Sequence, residues 1–399
     1  GNTMSNSLIF GYNNSDESRS TRLGSFFPFV DILNASTVYT SFGYEPFTPN
    51  NELRYNEFQL QNNFNKFAER HSMTAGFSFE RYNSENVFFP GAQSAYVYNS
   101  LQDFYDDVNR VRPVTLNRFQ VRYNNIPGQE KPLQPLQVTY MGAYAQDEWT
   151  VTDKFKVIAG VRMDVPIFGE TGYRNANADA LTFRDEAGAP VQYDSAKLPD
   201  AKILWSPRVG FNVDVSENRT TQLRGGTGIF TGKPLFVWIS NQIGNTGVLT
   251  GFSEITGATD RPFNPNPDAY KPTNVTGAPA ANYELALTDE SFKFPQVWRS
   301  NVAVDQRLPW NITGTAEFLY NRDVNGVYYI NANLPAAQSA FAVAKPNRLK
   351  TRQQRPYSEQ TQRLEVTGSK IHVEHVLAYR AKVIEPRGER SGGAHTCTL

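Results

Sequence analysis

Residues 142–164 read GAYAQDEWTVTDKFKVIAGVRMD. Past the polar turn Thr150–Lys154, the residues Phe155, Val157, Ala159, Val161 and Met163 alternate with Lys156, Ile158, Gly160, Arg162 and Asp164. A period of two with one apolar and one mostly polar face predicts a β-strand. A soluble sandwich hides such an apolar face against a second sheet, whereas an outer-membrane barrel turns it to lipid. Alternation alone leaves the solvent undecided.

The rest of the chain repeats the hairpin. Strand-like runs pair as 53–67 with 72–81, 138–149 with 155–165, 207–215 with 221–230, and 297–307 with 311–320. The links inside each pair are tight and polar: Ala68–His71, Thr150–Lys154, Ser216–Thr220 and Leu308–Trp310. The links between pairs are long, over 82–137, 166–206 and 231–296, and rich in Pro, Asn, Asp and Gly. Compact soluble β-domains seldom carry several loops beyond about 15 residues. Outer-membrane barrels do so by design, with short periplasmic turns at one rim and long extracellular loops at the other. Runs of this length match the roughly 9–11 residues that cross a tilted bilayer. The fold expected is therefore all-β, a partial antiparallel transmembrane β-barrel.

Composition excludes several other classes. The 39 Lys+Arg balance 39 Asp+Glu, which argues against a general nucleic-acid binder. No run of about 18 apolar residues predicts a membrane helix, although barrel strands leave only a weak hydropathy signal. The single cysteine, Cys397, excludes an internal disulfide framework and a cysteine-rich metal site. The 52 Tyr, Phe and Trp residues are ample for interfacial girdles.

The stretches SFGYEPFTPNNELRYNEFQLQNNF (41–64), HSMTAGFSFERYNSENVFFPGAQSAYVYNSLQDFY (71–105), AYAQDEWTVTDKFKVIAGVRMD (143–164), SPRVGFNVDV (206–215) and LRGGTGIFTGKPLFVWISNQIGNTG (223–247) point to a family. Together with 295–334 they resemble the barrel of Oar-type TonB-dependent outer-membrane receptors. The Y-x-Q-D-E-W…G-x-R-x-D hairpin is the most specific element. The resemblance implies a 22-stranded barrel with an N-terminal plug, in the outer membrane of a Gram-negative bacterium. It further implies uptake of a large or scarce solute, energised by the TonB–ExbB–ExbD complex through the plug. Plug, TonB box and the family's N-terminal β-sandwich have no counterpart in these residues, and ten to twelve strands are counted, so the chain reads as a barrel fragment. Two segments are expected: 1–334 as barrel, and 335–399 as an atypical basic tail, disordered or the product of a frameshift. From Lys345 onward there are 11 Lys+Arg, 5 Glu, no Asp and only Tyr357 and Tyr379 as aromatics.

Chemical motifs fail on inspection. GGTGIFTGK (225–233) has Thr227 and Pro234 where a phosphate loop needs Gly and Ser/Thr. HVEH (372–375) lacks zincin spacing. No catalytic group, metal site or cofactor is expected, and the chain does not read as an enzyme. Arg162 and Asp164 alternate with Val161 and Met163, so they face the lumen when the apolar set faces lipid. Asp147 and Glu148 fall on opposite faces. His71 reads as a solvated turn residue. Trp149 and Trp310 sit at tight turns, where an aromatic belt would place them. SLQDFYDDVNR (100–110) predicts a short helix within a loop, and Phe236, Trp238, Asn241 and Gln242 form a possible ligand-contacting loop. Transport is the leading function, and a surface binding or adhesion protein that displays its loops is the alternative.

Overall fold

The structure is a computed structural model that describes residues 3–21, 24–169, 172–185, 187–280, 283–309, 312–333 and, for the backbone, 376–382. In chain order its strands are β1 (Met4–Ser18), β2 (Phe29–Asn34), β3 (Thr37–Phe42), β4 (Glu52–Ala68), β5 (His71–Val87), β6 (Ala95–Tyr98), β7 (Arg118–Asn124), β8 (Gln134–Thr152) and β9 (Phe155–Phe168). They continue as β10 (Phe183–Arg184), β11 (Pro190–Val191), β12 (Leu204–Asp214), β13 (Thr221–Thr231), β14 (Thr250–Thr256), β15 (Gln296–Arg307), β16 (Thr313–Asn325) and β17 (Val376–Lys382). Three short helices, α1 (Leu101–Val108), α2 (Ala176–Asp179) and α3 (Val237–Gly244), lie in the long connections.

Ten strands pair in the order β1-β4-β5-β8-β9-β12-β13-β15-β16-β17, every neighbour antiparallel. Register sorts their side chains into two faces. One row, Phe10–Leu60–Phe79–Met141–Val165, is apolar across five strands. A parallel row runs Phe64–Ala75–Ala145–Val161–Pro207, and Phe211–Gly225–Val302–Phe318 carries the band onward. The rows between them are polar: Asn63–Gly76–Tyr144–Arg162–Ser206 and Asn65–Thr74–Gln146–Gly160–Arg208. A shift of one residue would move every side chain to the wrong face, so the apolar band fixes the register. Side chains such as Phe10, Phe77, Val161 and Val209 stay exposed because lipid, not protein, is their solvent.

Strand ends agree with the sequence pattern to within a few residues at the short turns and overshoot it at the loop rim. β4 and β5 have 17 residues each and β8 has 19, beyond the roughly 9–11 that cross the bilayer. The overshoot is a continuous ladder above the apolar band, from Glu52↔Val87 and Asn86↔Gln134 downward. β1 lies outside the strand pairs read from the sequence: among its Asn and Ser residues Ile9 is the one β-branched side chain, a weak strand signal. Trp310, HVEH and most of the basic tail lie outside the described residues, while Val376–Lys382 pairs with β16.

The long connections are not structureless. Three of them contribute strands to a second sheet, ordered β14-β7-β6-β2-β3, in which β2 and β6 run parallel. Its core holds Val30, Ile32, Tyr96, Tyr98, Phe119 and Val121. The expected helix at 100–110 is α1, capped by the Ser100 hydroxyl accepting from Asp103 N–H. Asp107 joins helix to core: it accepts from the Tyr98 hydroxyl at 2.6 Å, the Phe263 amide at 2.8 Å and Arg110 Nη1 at 3.0 Å. Burial, with the Asp107 carboxylate beside it, pushes the Tyr98 hydroxyl pKa well up.

Two outcomes are expected. Val161→Arg in the apolar band lowers stability in lipid by about 2–4 kcal/mol, whereas Gln146→Arg on the polar face changes it little, measured by urea titration in phospholipid vesicles. Asp107→Ala leaves buried donors unmet and loosens the loop sheet by about 1–3 kcal/mol, read as faster hydrogen exchange at Tyr96 and Tyr98 with the barrel strands unchanged.

Candidate functional site

The polar face carries a connected cluster at its centre. Arg162 Nη2 lies 2.7 Å from Asp164 Oδ1, and its Nε donates to the same carboxylate at 2.9 Å. Nη2 also donates to Ser78 Oγ at 2.9 Å, and the guanidinium sits 5.3 Å from the Tyr144 ring centre. Tyr144 donates its hydroxyl to Asn63 and accepts from Gln61 Nε2 at 3.1 Å. Asp164 is 1% exposed, so the carboxylate is closed over, while the Arg162 side chain keeps 34% of its surface open.

Two glycines make this arrangement possible. A Cβ on Gly142 would stand 2.3 Å from Arg162 Nη2 and 2.8 Å from Asp164 Oδ1. A Cβ on Gly76 would stand 2.6 Å from the Tyr144 hydroxyl. The bare backbone at both positions lets long side chains lie flat along the wall.

Above the cluster, connections from the loop rim fold down onto the same face. α3 packs Ile239 and Ile243 against Leu136, Val138 and Leu198. Phe236 meets Tyr82 at 4.9 Å, and Phe294 stacks on Tyr140 at 5.6 Å. Lys233, two residues past β13, reaches Glu80 on β5 at 2.5 Å and Glu57 on β4 at 3.7 Å. Four strand steps of about 4.8 Å separate β5 from β13 in a flat sheet, so the contact requires a strongly curled wall. The concave side is the polar side.

The sequence-derived residues fall as follows. Arg162 and Asp164 share the polar face and pair with each other. Asp147 and Glu148 do point to opposite faces: Glu148 pairs with Lys156 at 3.1 Å on the polar side, and Asp147 lies on the apolar side. His71 is not a solvated turn residue. It opens β5, pairs with Asp147 at 2.7 Å and stacks on Trp149 with rings 5.7 Å apart. Trp149 is exposed on the apolar face beside the tight turn. Of the four loop residues, Gln242 is buried, donating to the Ser195 and Lys197 carbonyls and accepting from Thr288 N–H. Phe236 is half-buried in the aromatic cluster, because α3 turns its apolar side to the wall. Trp238 and Asn241 keep exposed surface. Lys233 and Glu57 were missed by pattern reading; the only signal available was that Glu57 and Glu80 share parity with the polar rows.

Removing one partner of the central pair tests its strength. Arg162→Ala strands a buried carboxylate and lowers stability by about 2–3 kcal/mol, while the double change Arg162→Met with Asp164→Leu is milder, measured by urea titration as a double-mutant cycle.

Solved structures with a similar arrangement have 11–12% identity to this chain. They include the outer membrane transporter YddB from Escherichia coli (12% identity, TM-score 0.44, 80% of this chain and 32% of that one). The copper transporter OprC matches at 11% identity and TM-score 0.38, over 82% of this chain and 36% of that one. The ferric-catecholate import receptor Fiu from K12 E. coli matches at 12% identity and TM-score 0.33, over 71% and 32%. The chain thus spans about a third of the length of these structures, and likenesses at such scores carry no weight for function. No curated protein matches. The family model described as outer membrane beta barrel domain matches residues 1–372, past the boundary drawn at Leu334. With ten antiparallel strands bearing a lipid-facing apolar band and a polar concave side, this chain belongs to the outer membrane β-barrel domain family and resides in the outer membrane.

Proposed function

We propose that the chain is a wall segment of an Oar-type TonB-dependent receptor that imports a large or scarce solute. The observation that carries this reading is the concave polar face partly filled by inward-folded loops. A passive pore keeps its lumen open to water, whereas here α3, Phe236 and Lys233 lie across the wall above the Arg162–Asp164 pair. In this reading Arg162 and Asp164 face the lumen and present fixed charge to a plug supplied outside these residues. Trp238 and Asn241 are the loop residues with surface left for the solute. Trp149 anchors the wall at the headgroups. Residues 1–334 form most of the wall, and 335–399 are a basic segment from which Val376–Lys382 joins it as the last strand. Chemistry is not required, since selection comes from loop contacts and movement from displacement of the plug.

The five-stranded sheet with its own core favours a second reading, an adhesion protein whose barrel displays a folded loop unit. One experiment separates the two. Solutes accumulated by cells expressing the protein from its intact locus are compared with those of protonophore-treated cells by mass spectrometry. Import predicts at least one solute whose accumulation collapses with the proton gradient. Accumulation identical in both, with cell-surface binding retained, overturns import in favour of display.

A further inference from the structure

We propose that the Lys233 ammonium is the tethered occupant of a cation site on the concave wall, and that the solute exchanges a primary ammonium group of its own into that site; this rests on the import reading above. Three side chains build the site. Glu80 and Tyr140 are register partners on β5 and β8, and Glu57 stands on β4 one diagonal step from Glu80, all on the polar face. Lys233 Nζ lies 2.5 Å from Glu80, 3.7 Å from Glu57 and 5.9 Å from the Tyr140 ring centre. The two acids are enclosed, Glu80 at 13% exposure and Glu57 at 18%, whereas the lysine side chain keeps 41%. The acids belong to the wall, and the cation comes from a connection 153 residues away from Glu80.

Two enclosed carboxylates that reach one nitrogen cannot both stay ionised without a positive charge between them. The site therefore demands a cation, and which cation fills it is a matter of competition. An alkylammonium suits it, because its three N–H groups serve both acids while its charge lies over an aromatic face. Exchange needs no opening of the loop. Gly232 N–H donates to the Pro295 carbonyl at 2.9 Å, and Phe236 packs on Tyr82 at 4.9 Å, so the main chain is pinned on both sides of Lys233. Only the half-exposed lysine side chain has to rotate away. Its tether supplies an effective concentration on the order of mM. A simple amine therefore binds weakly while Lys233 is present, and a solute with further contacts displaces it.

Saturation-transfer difference NMR of the full chain in detergent, titrated with butylammonium, tetramethylammonium and butyrate, tests this. Lys233→Met keeps the apolar stem and vacates the site, so butylammonium is expected to bind about tenfold more tightly than to the unaltered chain. Tetramethylammonium, with no N–H to donate, gains little, and butyrate gains nothing. The unaltered chain shows the same order of the three probes at higher concentration. Adding Glu80→Gln to Lys233→Met removes the gain. Lys156→Met, which breaks the more exposed pair with Glu148, produces none. Circular dichroism checks β content, and if the double variant does not fold, Lys233→Met with Glu57→Gln takes its place. Butylammonium affinity unchanged by Lys233→Met, a gain shared equally by tetramethylammonium, or a gain that survives the loss of the carboxylate overturns the proposal. Binding is read on purified protein, so failure of energised import leaves a positive result standing, and a missing site leaves import standing.

Discussion

The structure depends on one constraint: inside hydrocarbon, every backbone N–H and C=O must find its partner within the protein. An unpaired group there costs several kcal/mol, so strands persist in a membrane only as a continuous ladder. Ten strands of this chain pair without interruption from β1 to β17, each with the neighbour that antiparallel hairpins bring closest. Once the ladder exists, parity does the rest, since residues two apart must share a solvent. Phe10, Leu60, Phe79, Met141 and Val165 end in one row because no other register keeps them all out of the lumen.

Curvature converts this ladder into a compartment. Right-handed twist and strand tilt turn a long sheet round on itself, and the side chains on the inside become crowded. Glycines at 76 and 142 relieve that crowding where Tyr144 and Arg162 cross the wall. The Arg162–Asp164 pair is then held in a partly closed environment, where it is screened less by water than a surface pair would be. Lys233 exploits the same curvature, since a residue next to β13 reaches acids on β4 and β5 across the chord.

The loop rim behaves as soluble protein does. Its five-stranded sheet hides Tyr96, Tyr98 and Phe119 from water, and Asp107 accepts from the Tyr98 hydroxyl. The same chain therefore solves two solvation problems in succession along β4, β5 and β8: apolar side chains point outward within the bilayer, and inward above it. The change occurs within single strands, as on β8, where buried Leu136 and Val138 lead without a break to exposed Met141 and Ala143.

Read alone, the sequence determined the strand period, the tight turns, the faces of Arg162, Asp164, Asp147 and Glu148, and the alternation of short and long connections. These are local properties: a period of two is written into consecutive residues, and loop length is counted directly. Tertiary structure decided what depends on distant segments meeting. Strand β1 exists because β4 offers it a ladder, not because its Asn-rich sequence favours extension. The loop sheet draws strands from three separate connections, so no single stretch carries its pattern. The burial of Gln242, the reach of Lys233 to Glu80 and the pairing of His71 with Asp147 arise from chain segments 46, 153 and 76 residues apart. Spatial proximity of that kind is set by the curl of the wall, which no local alternation encodes.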